Sequence, residues 1–280
     1  IDGEAFVPDI EIIKRKGSKL SAKNRFEVFD EVFKGGMPEY WINNIDRTTF
    51  FESYITTYLE KDVSKMINVD KLDDFRRFMT ITALRTGQQV DYTEIGRAVG
   101  IDSRTAKGWI SILEASGITM LLQPYANNLA KRIIKTPKLY FLDTGLLVRH
   151  AFDEKELLEA EVYKQILSDK LSMNKGMLYE NLIAQMLVAN GHKLYFYTQY
   201  NEEKHRNDIE IDFIVSNNSK LKYKMFPIEV KSSKNYTTKS LLKFKEKYHS
   251  RIGECYIIHP RNLTVKDGIF YIPPYMTMCL

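Results

Sequence analysis

Cysteine is scarce in this sequence of 280 residues, which contains only Cys255 and Cys279. Two thiols are too few for a four-cysteine zinc site or for the disulfide framework of a small secreted domain, so we expect a reducing cytoplasm. No run approaches the roughly 18 apolar residues that a membrane helix needs, and no basic, apolar leader opens the chain. We therefore expect no membrane association. The sequence begins with Ile1 rather than Met, from which we expect a fragment of a longer protein.

Positive charge is concentrated in one segment rather than spread along the chain. Residues 219–251 contain ten Lys or Arg and two Glu, a balance of +8, whereas the rest of the chain carries −3. Such a concentration is typical of a surface that binds phosphate groups. We therefore predict that Lys234, Lys239 and Lys243 bind nucleic acid. The alternative is an ordinary solvated helix face.

Helical periodicity dominates the first half of the sequence. It predicts helices within 26–33, 47–68 and 69–86, whereas the basic, glycine-containing stretch 14–19 is predicted as a loop. Asp91 is placed to cap a short helix at 93–99, and either Asp102 or Ser103 is placed to cap a second one at 104–116. Gly100 and Gly117 would end them. This pattern predicts a helix-turn-helix.

The second helix of this pair would be the one that contacts DNA. Arg104, Lys107 and Trp109 lie near its N-terminal half, which we predict to be exposed. A hairpin predicted over 118–135 would complete a winged helix. Two alternatives stay open, because fold does not determine function: a purely structural helix pair, or a winged helix that binds protein.

The last hundred residues alternate between helix and strand patterns. We predict helices at 176–190 and 237–248 and strands at 193–199, 209–215, 223–231 and 254–259. This order predicts an α/β sandwich with a mixed sheet, and the whole chain is therefore predicted to be α+β.

Strand periodicity then brings charged residues together. A period of two places Ile211 and Phe213 on one face of their strand and Asp212 on the other. Pairing with the next strand would bring Asp212, Glu229 and Lys231 together. Two close carboxylates stay ionised only beside a cation, which favours Mg²⁺. Such an ion lowers the pKa of water and stabilises phosphoryl charge.

The order and spacing of a few charged residues over about 174–260 resemble the pattern of the PD-(D/E)XK nuclease-like superfamily. These residues are Glu180, Asp212 and the Glu229-Val230-Lys231 tripeptide. The resemblance implies a restriction-endonuclease-like sandwich that cleaves DNA phosphodiesters. Glu180, Asp212 and Glu229 would be ligands of Mg²⁺, and Lys231 would be the catalytic lysine. Ile211 stands where the superfamily often has Pro, which is a small departure from the pattern.

Several short motifs in order support a narrower resemblance: FVP at 6–8, GGMPE at 35–39, YLEKDV at 58–63, the helix-turn-helix, KLYFLDTGL at 138–146, GMLYEN at 176–181 and IDF at 211–213. Together they look like the C-terminal half of the prokaryotic predicted AAA+ ATPases that end in an uncharacterised nuclease-like domain. The sequence lacks G-x-x-x-x-G-K-[ST], so we expect no ATP site in this chain.

The resemblance implies three domains: a helical lead-in at 1–68 that is a remnant of the ATPase lid region, a winged helix at 69–150 and a nuclease-like domain at 151–280. It also implies two partners, DNA and the upstream ATPase domain, and it leaves a homo-oligomer open. The predicted function is that of a magnesium-dependent endonuclease region. The alternative is a catalytically inactive nuclease-like module that binds nucleic acid or a protein for the ATPase.

Overall fold

The computed structural model describes residues 9–23, 25–43, 45–60, 71–126, 136–152, 175–217, 224–233 and 235–280. The chain divides into two units. The sheet unit comprises Ile1–Val28, Leu122–Lys138 and Tyr179–Leu280, and the helical unit comprises Phe29–Leu121 and Leu139–Leu178. The second strand of the predicted hairpin, near 131–135, and the FVP motif at 6–8 lie outside the described residues. The three predicted domain boundaries stay predictions.

In the described part of the chain, seven α-helices precede the first strand and three more lie between strands. The helices are α1 (Ile10–Gly17), α2 (Arg25–Lys34), α3 (Pro38–Asn43), α4 (Arg47–Tyr54), α5 (Leu72–Leu84), α6 (Tyr92–Val99), α7 (Ser103–Ala115), α8 (Thr144–Phe152), α9 (Lys175–Ala189) and α10 (Lys239–Lys247). A π-helix (Ile55–Glu60) follows α4, and a 3₁₀ helix (Pro274–Cys279) lies near the C-terminus. The strands are β1 (Thr119–Pro124), β2 (Lys138–Phe141), β3 (Leu194–Asn201), β4 (Arg206–Asn217), β5 (Lys224–Val230), β6 (Cys255–Ile258), β7 (Thr264–Lys266) and β8 (Ile269–Ile272).

An aromatic cluster forms part of the core of the helical unit. Phe75 and Phe78 of α5 hold the Trp109 ring of α7 edge-to-face, at centroid distances of 5.3 and 5.2 Å. This geometry is favoured by the aromatic quadrupole. Trp109 is only 4% exposed, so the prediction that it lies on the exposed side of its helix is wrong. It shares the buried stripe of α7 with Ala106 and Leu113, at helical spacing.

The predicted helix pair is present as α6 and α7, and both caps form. Asp91 accepts hydrogen bonds from the backbone N–H groups of Thr93 and Glu94, at 2.9 Å each. Gly100 ends α6 with a φ of 90°, a left-handed conformation that glycine adopts at little cost. The helix-turn-helix geometry therefore follows from local capping chemistry. The winged-helix assignment stays a prediction.

Asp102→Ala is expected to destabilise the helical unit by about 1 kcal/mol. Asp102 caps α7 by accepting from the Thr105 backbone N–H at 2.9 Å and from its hydroxyl at 2.7 Å. Alanine leaves both donors to water. Urea denaturation should show this loss, and Asp102→Asn should recover most of it. Equal stability of the alanine variant and the wild type would contradict the assigned cap.

Two of the sequence motifs meet in the helical unit and have a structural role. The buried Asp143 carboxylate accepts hydrogen bonds from the backbone N–H groups of Gly36, at 2.7 Å, and Leu146, at 2.8 Å. Gly35 has a φ of 73°, and a Cβ atom there would lie 2.6 Å from Asp143. Gly35 is therefore required by its close approach to this carboxylate.

The strands form one mixed sheet of order β2-β1-β3-β4-β5-β6-β8-β7. The β3–β4, β4–β5 and β7–β8 pairs are antiparallel, and the β1–β3, β5–β6 and β6–β8 pairs are parallel. The predictions of an α+β chain and a mixed sheet are therefore confirmed. The predicted strand order lacked β7 and β8. Asp267 and Gly268 connect these strands with φ values of 53° and 70°, as in the Asp-Gly turns that favour tight hairpins.

Helix α10 packs on the sheet through Leu241 and Phe244, which are both fully buried. Their cluster includes Ile211 and Ile214 of β4 and Ile257 of β6. The packing holds the end of β5, between β4 and β6, under the first turns of α10.

The predicted loop at 14–19 is wrong over 14–17, because α1 extends to Gly17.

Candidate functional site

A β-bulge in β4 lies beside the candidate site. Tyr195 and Tyr197 of β3 pair with Ile214 and Ile211, so β4 has one more residue than β3 between these two pairs. The extra residue lies at Asp212 or its neighbour. The predicted strict alternation along 209–215 is therefore wrong beyond Ile211. Bulges commonly redirect a side chain next to a functional site.

The redirected Asp212 carboxylate binds the neighbouring strand. The β4–β5 ladder ends at the Phe213–Ile228 pair, and just beyond it Asp212 Oδ2 accepts a hydrogen bond from the Val230 backbone N–H at 2.8 Å. Burial raises the pKa of Asp212, and the charge of Lys138 and the Val230 hydrogen bond offset part of that effect. Asp212 therefore needs nearby positive charge to remain ionised.

Glu229 is a deeply buried acid, with 1% of its surface exposed. The Lys231 Nζ lies 2.8 Å from its Oε2, but neither carboxylate oxygen has a well-oriented hydrogen bond to a described residue. Burial raises the pKa of Glu229 to about 7. The charge of Lys231 opposes this rise, and the charge of Asp212 adds to it. One lysine therefore does not fully compensate the carboxylates at this point.

Lys138, the first residue of β2, is the cation that the sequence analysis missed. It is 5% exposed, and its Nζ lies 3.4 Å from Glu180 Oε1 and 3.5 Å from Glu210 Oε1. Burial by itself lowers the pKa of a lysine, but the charges of Glu180, Asp212 and Glu210 outweigh it and raise the pKa of Lys138 to about 12. The group is a permanent positive charge among the acids.

The predicted site residues are thus brought into one electrostatic cluster within the sheet unit. Lys231 interacts with the charges of Glu229, Asp212 and Glu180, and its pKa is raised although burial opposes that. Carboxylate oxygens are the donors that Mg²⁺ prefers, and the incompletely paired Glu229 suits an added cation. That these donors hold Mg²⁺ stays a prediction. Across the described ranges, however, no three acidic, imidazole or thiolate groups are grouped as a ready metal site.

Lys138 carried one signal in the sequence. It opens a strand that is otherwise apolar, in which all four residues are buried. A lysine is rarely fully buried without a partner, so a lysine in a buried strand predicts an acid nearby. The sequence did not indicate which acid, because Lys138 is separated from Glu180 by 42 positions.

The predicted nucleic-acid contacts are exposed where the structure describes them. Arg104 and Lys107 are exposed on α7, as predicted, and Lys239 and Lys243 are exposed on α10. Lys243 Nζ lies 3.9 Å from a carboxylate oxygen of Asp208. Lys234 lies outside the described residues. Exposure permits contact with DNA, and that contact stays a prediction.

Two family models match separate parts of the chain. Residues 25–156 match a domain of unknown function, DUF8612, and residues 175–276 match another, DUF4143. DUF4143 is found in AAA-ATPase-associated proteins. The second match covers α9, β3–β8 and α10, and hence Glu180, Asp212, Glu229 and Lys231. The charged cluster therefore lies in the matched region, apart from Lys138.

Two relatives share 30% identity with the chain over 174 residues, or 61% of its length. They are uncharacterized proteins of Mycobacterium bovis and Mycobacterium tuberculosis. The chain spans 37% of the length of each. No solved structure matches the chain. Among the described helices, none has the length and apolar character needed to cross a membrane.

Proposed function

We propose that this chain is the effector region of an AAA+ ATPase and that its sheet unit is a magnesium-dependent DNA endonuclease. One observation carries the proposal: the buried Glu229–Lys231 pair lies at the end of β5, beside Asp212 of the neighbouring strand β4. Carboxylates next to a lysine at such a position suit phosphodiester hydrolysis. The match to an ATPase-associated domain supports the connection to the ATPase.

Each side chain has a specific role in this proposal. Asp212 and Glu229 would hold the metal ion together with Glu180, and the bound ion would supply positive charge to the phosphoryl oxygen and lower the pKa of water. Lys231 is close enough to Glu229 to orient a water or neutralise developing charge. Lys138 would hold the Glu180 carboxylate in position, because its charged Nζ lies 3.4 Å away.

One observation favours the catalytically inactive alternative. Lys138 already pairs with Glu180 and Glu210, so a protein cation rather than a metal ion balances these acids. In a site of that kind the acids would be structural, and the sheet unit would only bind nucleic acid or a protein. Calorimetric titration with Mg²⁺ or Mn²⁺ distinguishes the two cases, because only the endonuclease should bind the ion stoichiometrically.

Exchanging Lys239 and Lys243 together for Glu is expected to weaken DNA binding and flatten its salt dependence. Each phosphate neutralised by a lysine contributes about −0.9 to the slope of log K against log salt concentration. Losing both contacts should therefore reduce the magnitude of the slope by about 2. Fluorescence anisotropy with a duplex at several salt concentrations measures this slope.

A matched control comes from the same unit. Lys19 is an exposed lysine outside the basic segment, so Lys19→Glu should leave the slope close to the wild-type value. Equal slopes for the wild type and the Lys239/Lys243 double variant would exclude this face of α10 as the DNA-binding surface.

A further inference from the structure

A cavity of about 640 Å³ lies in the sheet unit, apart from the charged cluster. Its walls come from the loop after β5, the connection between β6 and β7, and strands β7 and β8. Three rings line it, those of Tyr236, His259 and Tyr271, and the other lining residues are Arg261, Asn262, Thr264 and Lys266. This volume is in the range of small-molecule sites in proteins.

The position of the cavity is one where ligands often bind. His259 directly follows β6, and its backbone N–H donates to the Ile272 carbonyl at 3.0 Å, at the end of the parallel neighbour β8. Loops beyond the carboxyl ends of parallel strands commonly form binding crevices. The Lys231 N–H donates to the Ile258 carbonyl at 2.8 Å. The cavity therefore begins one strand away from the Glu229–Lys231 pair.

His259 is a buried side chain whose polar atoms are left unpaired by the described residues. It is 2% exposed, and neither ring nitrogen hydrogen-bonds to a described residue. A buried polar group without a partner is destabilising. Burial lowers the pKa of His259 to about 4, and the charge of Arg261 makes a smaller contribution in the same direction. The ring is therefore neutral near pH 7. A neutral imidazole offers one donor and one acceptor, which matches the mixed edge of a nucleobase.

The rings and charges of the cavity are complementary to a nucleotide. The His259 ring lies 5.4 Å from the Tyr271 ring and 6.1 Å from the Tyr236 ring, which forms an aromatic wall. Arg261 and Lys266 are exposed and positively charged. No carboxylate belongs to the described residues that line the cavity. Aromatic side chains stack with bases and cations bind phosphate, which together are the features of single-strand binding sites.

We propose that this cavity binds one unpaired nucleotide of a nucleic-acid strand. The base lies against Tyr236 and Tyr271 and hydrogen-bonds to His259, and the phosphate binds Arg261 and Lys266. This inference deepens the proposed function and rests on nucleic acid as its substrate. A nucleotide held here would keep the nucleic-acid strand beside the Glu229–Lys231 pair. That pair lies at the end of β5, the β-strand next to β6.

The test is calorimetric binding of AMP to the whole chain at pH 7.5 in EDTA, with adenosine and ribose 5-phosphate as fragments. Without divalent ions the cleavage site plays no part. AMP should bind at least about tenfold more tightly than either fragment, because both stacking and phosphate contacts are needed. Equal binding of AMP and ribose 5-phosphate would reduce the cavity to a general anion site and overturn the proposal.

Variants identify the residues involved. Lys266→Ala and Tyr271→Leu should each lower AMP affinity about fivefold or more, while Tyr271→Phe keeps the ring and should bind nearly as the wild type. Lys19→Ala is the matched surface control. Circular dichroism verifies folding. Nucleotide recognition would be contradicted if Lys266→Ala and Tyr271→Leu both bound AMP as tightly as the wild type. It would also be contradicted if a glutamate-rich peptide bound more tightly than AMP and displaced it.

The two proposals fail in different ways. AMP binding by a protein that never cleaves DNA would overturn the endonuclease and leave the nucleotide site standing. Cleavage of DNA by a protein that does not bind AMP would overturn the nucleotide site alone. The Asp212→Asn variant should bind AMP as the wild type does, because the Asp212 carboxylate does not line the cavity.

Discussion

Asp212→Asn is expected to lower the rate of Mg²⁺-dependent DNA cleavage by about 10²–10³-fold or more, while DNA binding is retained. The variant removes the negative charge that would hold the ion. Its amide oxygen can still accept the hydrogen bond from the Val230 N–H, so the local fold should persist. Nicking of a supercoiled plasmid in Mg²⁺ measures cleavage, and anisotropy in EDTA measures binding.

Asp208→Asn provides the matched control on the same strand. Asp208 bonds to Asn201 and pairs with Lys204, outside the charged cluster, so cleavage should stay within a few-fold of the wild-type rate. Lys231→Met should show the same loss as Asp212→Asn, since both act on the chemical step rather than on binding. If the wild type fails to cleave in either Mg²⁺ or Mn²⁺, the inactive-module alternative is the better description of this chain.

Local chemistry made the helix pair and much of the sheet predictable. Asp91 caps α6 and Asp102 caps α7 through short-range hydrogen bonds. Such bonds join residues that are two or three positions apart in the sequence. Strands β3 to β6 were predictable for a similar reason, because apolar runs between polar loops show the strand pattern directly. Trp109 was misplaced because its burial depends on Phe75 and Phe78 of another helix.

The candidate site was only partly predictable, because it depends on long-range register. Sequence spacing indicated Asp212, Glu229 and Lys231, and the structure brings their charges together. The bulge at Asp212 has no local signature, since it follows from how β4 pairs with β3. Lys138 is brought to the cluster by β2. Its importance therefore depends on a pairing that spacing along the chain does not reveal.

The cavity at His259 is a further case in which sequence alone was insufficient. His259 belongs to none of the motifs that the sequence showed, and the strands that surround the cavity include β8, which the strand pattern missed. Tyr236, His259 and Tyr271 come from three separate segments. Their contact exists only once the parallel β6–β8 pair has formed.

The stability of the chain should depend on pH through Glu229. Its pKa is raised from 4.5 to about 7 in the folded protein, so the folded state binds a proton more tightly than the unfolded state does. The contribution of Glu229 is therefore fully present below about pH 4.5 and is lost as pH rises through 7. The difference between the two pKa values corresponds to about 3 kcal/mol.

Glu229→Gln isolates this effect, because glutamine keeps the shape and does not ionise. The free energy of unfolding of the variant, minus that of the wild type, should rise by up to about 3 kcal/mol between pH 5 and pH 8. The exposed Glu246 on α10 provides the control: Glu246→Gln should give a nearly flat difference, because that carboxylate is in water in both states. Urea denaturation at several pH values measures both differences.

Magnesium should weaken the pH dependence if Glu229 is a ligand. A bound cation favours the ionised carboxylate, so it offsets the cost of burying that charge. We expect that added Mg²⁺ makes the wild type more stable at pH 8 and leaves Glu229→Gln nearly unchanged. A ¹³C carboxyl titration that places the midpoint of Glu229 near 4.5 would contradict the whole expectation. Equal stabilisation of both proteins by Mg²⁺ would instead exclude Glu229 as the residue through which the ion acts.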